Sequence, residues 1–283
     1  MTVHDLDAMT MRPIGLSGRD ATVDAKGRRY LVTRMLLVND PECGWVAIDA
    51  GIGDADTQQP ARRLGVTFKL SVGAEIDRSR TLMAQCRRLG IDPTDVKHIV
   101  CTHLDVDHAG GLPDFPHARV HVNPRELHAA QFPKGAVQKG RYRPVHFAHG
   151  PEWVPFGEAD SVWHGFDSGP IPGLPSTWRW VDLSGHTPGH SGILVETPEA
   201  TIFHLGDAFL QLYELKTHKA PESLAVKFHH AFFDTDPEQA AARRVALRRV
   251  YQSFVTAGPS TRRVRWYSGH DPSVPETGTG TGG

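Results

Sequence analysis

Apolar, β-branched-rich runs over Tyr30 to Val38 and Trp45-Val46-Ala47-Ile48, the second ending in Asp49-Ala50-Gly51, carry the signal of two β-strands. Between them Asn39-Asp40-Pro41-Glu42-Cys43-Gly44 reads as a hairpin loop. From Asp77 to Gly90 the period lengthens to that of a helix, with Leu82, Met83, Cys86 and Leu89 on one stripe, Asp77 to cap the start and Gly90 to close the end. Asp92-Pro93-Thr94-Asp95 then turns the chain into a strand at His98-Ile99-Val100-Cys101. Arg119 to Val122 is a further short strand, and a helix opens near Asn123-Pro124-Arg125-Glu126, with Asn at the cap and Pro in the first turn.

From about Phe132 to Thr177 the periodicity degrades into a stretch rich in Pro, Gly, His and aromatics, among them Tyr142, Phe147, Trp153, Phe156, Trp163 and Phe166. Its aromatics predict an irregular, packed cap over a site. Strands resume at Arg179 to Leu183, Ser191 to Glu196 and Ala200 to Leu205. Asp236-Pro237-Glu238 opens a last helix with Leu247, Val250, Tyr251 and Phe254 on its apolar face, and a strand at Arg263 to Tyr267 follows. Strand and helix signals that run through once and then again predict an α/β fold of two similar αβ halves, their sheets face to face and helices outside, an αββα sandwich. One domain is expected over residues 1–271, with 272–283, ending Gly-Thr-Gly-Thr-Gly-Gly, as a disordered tail.

Composition narrows the function. The chain has 283 residues, enough for a substantial core, and 31 basic against 32 acidic residues, a net charge of −1. That balance offers no electrostatic case for a nucleic-acid or membrane partner. Cys43, Cys86 and Cys101 show no Cys-x-x-Cys spacing, which disfavours both a disulfide framework and a thiolate metal site. The N-terminus lacks a basic start and an apolar run, and no stretch reaches membrane-spanning length, so the cytoplasm is the expected location. Monomer and homodimer both remain open.

The chemistry concentrates in Thr102-His103-Leu104-Asp105-Val106-Asp107-His108-Ala109-Gly110-Gly111, directly after an apolar strand. Four potential ligands lie within six residues, and adjacent carboxylates repel unless a cation sits between them. Three later strand ends project more: Ser184-Gly185-His186-Thr187-Pro188-Gly189-His190, His204-Leu205-Gly206-Asp207-Ala208 and Ser268-Gly269-His270-Asp271. The remaining histidines, including His98, His121, His229 and His230, read as ordinary packing or loop residues among a total of 17.

In order and spacing these segments, with Ile48-Asp49-Ala50-Gly51 and Leu89 to Val96, resemble the metallo-β-lactamase superfamily. The resemblance implies an αββα sandwich with two divalent cations at the sheet edge, Zn foremost and Fe or Mn as alternatives. It assigns His103, Asp105 and His186 to one cation and Asp107, His108 and His270 to the other. Asp207 would bridge both beside a hydroxide, and His190 would brace the loop. A small-molecule substrate is implied, with Asp107 or Asp207 passing a proton to its leaving group.

One position departs from the pattern, usually His-x-His-x-Asp-His, because Asp105 stands where the second His is expected. An extra carboxylate makes the loaded cluster neutral and tilts selection towards Fe or Mn. The motifs around His186, Asp207 and His270 are similar to those of N-acyl homoserine lactonases, so a dinuclear hydrolase of esters, lactones or related acyl compounds leads. A di-iron redox enzyme and a phosphodiesterase are the alternatives. Lactonases often carry a Tyr three residues after the bridging Asp; here that residue is Leu210, and Tyr213 is the nearest Tyr. Phe209, Leu210 and Tyr213 are expected to contact substrate.

Overall fold

The computed structural model describes residues 1–17, 22–217, 223–257 and 263–273. Seven strands form the first sheet: β1 (Thr2–Met11), β2 (Leu31–Asp40), β3 (Gly44–Ile48), β4 (Ala74–Glu75), β5 (Val96–Val100), β6 (Arg119–Val122) and β7 (Glu152–Pro155), ordered β4-β1-β2-β3-β5-β6-β7. Six form the second: β8 (Ser161–Trp163), β9 (Phe166–Pro170), β10 (Trp178–Asp182), β11 (Ser191–Glu196), β12 (Thr201–His204) and β13 (Val264–Tyr267), ordered β13-β12-β11-β10-β9-β8.

Period-2 alternation sorts the side chains into three layers. Along β2, Leu36 and Val38 enter the core between the sheets, where Val46, Ile48, Val100, Trp178, Ile193 and Val195 meet them. The alternate residues Met35 and Leu37 enter the core beneath the first half's helices. On β11, Leu194 turns the other way, onto helix Pro237–Thr256 and its Leu247, Val250 and Tyr251. Helices therefore cover both outer faces and the αββα sandwich is realised. Buried Trp178 ties the layers together by donating its indole N–H to Asp40 Oδ2 at 2.8 Å.

Several local expectations change. The helix expected over 77–90 divides into a 3₁₀ turn, Arg78–Arg80, capped by Asp77, and an α-helix, Leu82–Arg88, capped by Thr81. Leu89 follows that helix and is exposed. The segment 132–177 is not irregular: it holds helix Gly135–Arg141 and strands β7, β8 and β9. Its aromatics mostly build core, with Phe156 between the sheets and Phe166 under the second, so only the Gly135–Arg141 region borders the site as a cap would. The expected tail falls largely on 274–283, which lie outside the described residues.

Strand β1 and helix Leu224–Phe233 lack a clear sequence signature. In β1 the register shifts between Asp7 and Met9, a bulge that interrupts the period-2 alternation. The helix buries only Val226 and His230, so no apolar stripe announces it.

Candidate metal centre

All the candidate ligands lie beyond strand ends at one edge of the sandwich. After β5 the chain enters a short helix, Val106–Ala109, with Asp105 at its N-cap, and this turn presents Asp105, Asp107 and His108 together. His186 comes from the β10–β11 loop, Asp207 from the turn after β12, and His270 from the segment after β13. The pairing of β12 with β13 runs parallel, so both strands deliver their ligands to the same edge.

Asp207 sits at the middle. Its Oδ2 is 2.9 Å from His270 Nε2, 3.6 Å from His186 Nε2 and 3.7 Å from His103 Nε2, while Oδ1 is 3.2 Å from His108 Nε2. Asp105 Oδ2 lies 3.4 Å from His186 Nε2 and 3.7 Å from His103 Nε2. Asp107 Oδ2 is 3.8 Å from His108 Nε2 and 3.9 Å from His270 Nε2, and accepts a hydrogen bond from the Thr33 hydroxyl at 3.1 Å.

Each imidazole is aimed by a partner on its far nitrogen. Nδ1 of His103 meets the Thr102 hydroxyl at 2.9 Å, that of His108 the Asp49 carboxylate at 2.9 Å, that of His186 Asp234 at 3.1 Å, and that of His270 the Val32 carbonyl at 2.7 Å. Engaging Nδ1 leaves Nε2 facing the centre. His190 plays a different part. Its Nδ1 lies 3.0 Å from the Leu183 carbonyl and its Nε2 accepts the Asp207 backbone N–H at 2.9 Å. It braces the backbone of the central aspartate. Close approach explains two glycines here, since a Cβ on Gly206 would meet His190 Nε2 at 2.4 Å and one on Gly269 would meet Asp207 Oδ1 at 2.4 Å.

A divalent cation fits this set. Among the described residues, Nε2 of His103, His108 and His186 and Oδ1 of Asp207 are buried without a hydrogen-bond partner, an arrangement that costs free energy unless something else satisfies them. Ligand atoms of His103, Asp105 and His186 lie within 4.8 Å of one another, as do those of Asp107, His108 and His270, and those of His103, His108 and Asp207. The electrostatics agree. Burial alone would depress the pKa of His186, but the carboxylates of Asp105 and Asp234, one beside each ring nitrogen, outweigh it and raise the value to about 9. Burial likewise opposes ionisation of Asp207, yet His270, His108 and His103 hold its pKa well below the usual carboxylate range. The cluster is built to attract positive charge.

Above it opens an apolar cavity of about 800 Å³ whose lining includes Leu31, Phe68, Val137, Leu210, Phe228 and Phe232. Asp105, Asp107, Asp207 and His270 lie on the same wall. Of the three residues expected to touch substrate, Leu210 lines this cavity. Phe209 turns instead into the core under the second sheet, where the Arg248 guanidinium lies 5.3 Å from its ring centre. Tyr213, on the short helix Leu212–Lys216, is not among the lining residues either.

Five residues near the site escape sequence reasoning. Asp49 lies in a run that the sequence does single out, but its partner is far away along the chain. Asp234 and Glu126 are single carboxylates with no local signature. Arg141 sits in the stretch whose pattern degrades, 3.4 Å from Asp105. His229, which reads as ordinary, lines the cavity and stacks on His186, ring centres 5.5 Å apart and planes 8° from parallel.

The sequence profile of the metallo-beta-lactamase superfamily matches residues 35–251. The chain belongs to the metallo-beta-lactamase superfamily. Within this superfamily it is similar to a protein described as a probable metallo-hydrolase of Mycobacterium tuberculosis, 34% identical over 73% of this chain and 62% of the relative's length. It also resembles an N-acyl homoserine lactonase of Azorhizobium caulinodans, 34% identical over 42% of this chain and 43% of that protein. Among solved structures, a probable metal-dependent hydrolase from Staphylococcus aureus superposes with TM-score 0.71 at 18% identity, covering 98% of this chain and 92% of that one. An N-acyl homoserine lactone hydrolase with N-hexanoyl-L-homoserine bound at its metal centre superposes with TM-score 0.66 at 19% identity, covering 95% and 93%. At these identities the superpositions speak to the fold, and the sandwich is that of the superfamily.

Proposed function

We propose that this protein is a dinuclear metal-dependent hydrolase of small apolar esters or lactones. The observation that carries the reading is the set of buried, unpartnered His and Asp atoms on the wall of an apolar cavity. His103, Asp105 and His186 would hold one cation, Asp107, His108 and His270 the other, with Asp207 between them. Zinc suits this mix of imidazole and carboxylate, as do iron and manganese. When bound, such cations polarise a carbonyl oxygen and make a water acidic enough to attack at neutral pH.

The chain's own residues supply the rest. Asp207 is steadied by the His190 brace, and Asp107 borders the cavity, so either carboxylate can pass a proton to the departing alkoxide. Among the described residues the buried Nε2 of His229 has no hydrogen-bond partner, and burial and the neighbouring His186 push its pKa well below the usual range. A neutral imidazole of this kind offers an N–H to the substrate carbonyl, the service that Leu210 cannot perform. Phe68, Val137, Phe228 and Phe232 would take the acyl chain and exclude water.

Polyanionic substrates fit less well. Arg141 and Arg143 line the cavity, but both guanidiniums are engaged: Arg141 with the His186 carbonyl at 3.1 Å, Arg143 with the Arg62 carbonyl at 2.8 Å. Two measurements test the proposal: the cation content of protein purified without added metal, and hydrolysis of lactones and esters of increasing acyl length. Two cations per chain and turnover that rises with acyl length and stops on chelation are expected. Iron-loaded protein that consumes oxygen and leaves every ester intact would instead establish the redox alternative.

A further inference from the structure

Asp105 is the ligand position at which this chain departs from its family's pattern, and it has a companion. Its two oxygens face different ways. Oδ2 points towards His103 and His186, at 3.7 and 3.4 Å, while Oδ1 lies 3.4 Å from Nη1 of Arg141. Both side chains are buried, Asp105 with 9% of its surface exposed and Arg141 with 5%. Arg141 is not free to leave: Nη1 donates to the His186 carbonyl at 3.1 Å and Nη2 to the Phe233 carbonyl. The guanidinium is thus pinned between the His186 loop and the end of helix Leu224–Phe233, beside a cluster that would hold two dications.

A buried, fixed cation at such a place is strongly unfavourable unless a carboxylate answers it. The surplus carboxylate of the cluster is Asp105. Counting the seven ligands and Arg141, three carboxylates against one guanidinium leave a charge of −2. A neutral residue at 105 without the arginine would leave the same charge. Position 105 and position 141 therefore compensate each other.

We infer that Asp105 and Arg141 work as one unit that replaces a neutral ligand, Oδ2 serving the first cation subsite and Oδ1 the guanidinium. Arg141 is a positioning residue: it fixes the carboxylate's orientation and sets the cation affinity of that subsite alone. The inference rests on the metal reading proposed above. It has a consequence opposite to the one the sequence pattern suggests, since restoring the usual histidine should harm the site.

The test is cation binding, followed with zinc against a chromophoric chelator and by elemental analysis, on folded apo-protein of wild type, Asp105→His, Arg141→Gln and the double variant. Wild type should hold two cations. Asp105→His should lose about 10- to 100-fold in affinity at one subsite, the range typical when a ligand's supporting partner is disturbed, and retain about one cation per chain after dialysis. Adding Arg141→Gln to it should recover most of that loss, whereas Arg141→Gln alone should change first-subsite affinity less. Asp105→His by itself already decides the matter if the arginine variants do not fold. Should it bind two zinc ions as tightly as wild type, the pairing is overturned while the metal centre stands. A wild type that binds one cation or none overturns both, because Asp105 and Arg141 would then form a buried ion pair and nothing more.

Discussion

Asp49 Oδ2 lies 2.9 Å from His108 Nδ1, and the same carboxylate accepts the Thr102 N–H at 2.7 Å and the Thr102 hydroxyl at 2.8 Å. One fully buried side chain thereby orients ligands on two sides of the site, because Thr102 in turn meets His103. Asp49 does so from a left-handed backbone conformation, φ 58°, which a non-glycine residue adopts only where its surroundings enforce it. Asp49→Asn keeps the shape but replaces one acceptor by a donor. Cation affinity should fall roughly 10- to 100-fold, with His108 and His103 less firmly held. Competition against a chelator measures this, and unchanged affinity would mean the brace is dispensable.

Removal of metal should destabilise the protein. The buried Nε2 atoms of His103, His108 and His186 and Asp207 Oδ1 make no hydrogen bond among the described residues. Ligand binding to the folded state adds RT ln(1 + [L]/Kd) to its stability and so raises the melting temperature with ligand concentration. Dialysis against a strong chelator should lower it, and added zinc should restore it in a concentration-dependent way. A melting curve indifferent to chelator and zinc would contradict the assignment of these residues as ligands.

Glu126 joins the two ligand loops. Its Oε1 accepts the Leu104 N–H and the Tyr142 O–H, each at 3.0 Å, and its Oε2 accepts the Gly189 N–H at 3.0 Å. In Glu126→Gln the amide N–H₂ must oppose one of these donors, at a cost of about 1–3 kcal/mol for a buried unsatisfied group. Tyr142→Phe removes a single donor and should cost about 1 kcal/mol. Urea denaturation of both variants checks the order; equal stabilities would show that the loops are held by other contacts.

Asp114 gives a pH dependence remote from the ligands. Burial raises its pKa, against the hydrogen bond from the Asp54 backbone, to about 6 from a usual 3.8. Because the folded value is the higher one, the stability linked to this proton is complete below about pH 4 and is lost as pH rises through about 6. Asp114→Asn retains an acceptor for the Asp54 N–H and cannot ionise. Relative to wild type it should gain about 1–2 kcal/mol between pH 4 and pH 7, after allowance for solvent access. Parallel stability profiles for the two proteins across that range would refute it.

Much of the candidate site was legible because its candidate ligands follow strands. His103, Asp105, Asp107 and His108 come within six residues of one another after an apolar run, and His186, Asp207 and His270 follow others, so the sequence marks them as candidates and the resemblance to the superfamily implies that they share one edge. The partners on the far side of each ring were not legible. Asp49 and His108 are 59 residues apart, His186 and Asp234 48, and His270 and the Val32 carbonyl 238. No local pattern encodes such pairs. The aromatic stretch 132–177 misled for a related reason: its strands are short and its apolar residues divide among three cores, so neither period shows.

By itself, then, the sequence determined the layered α/β architecture and the candidate His and Asp positions at the strand ends, since both depend on periodicity and on residues close along the chain. Tertiary structure alone decided what surrounds them: Arg141 against Asp105, His229 over His186, and Phe209 turned into the core while Leu210 meets the cavity. Burial, charge compensation and ring orientation depend on groups brought together from distant segments, and these exist only once the two sheets have packed.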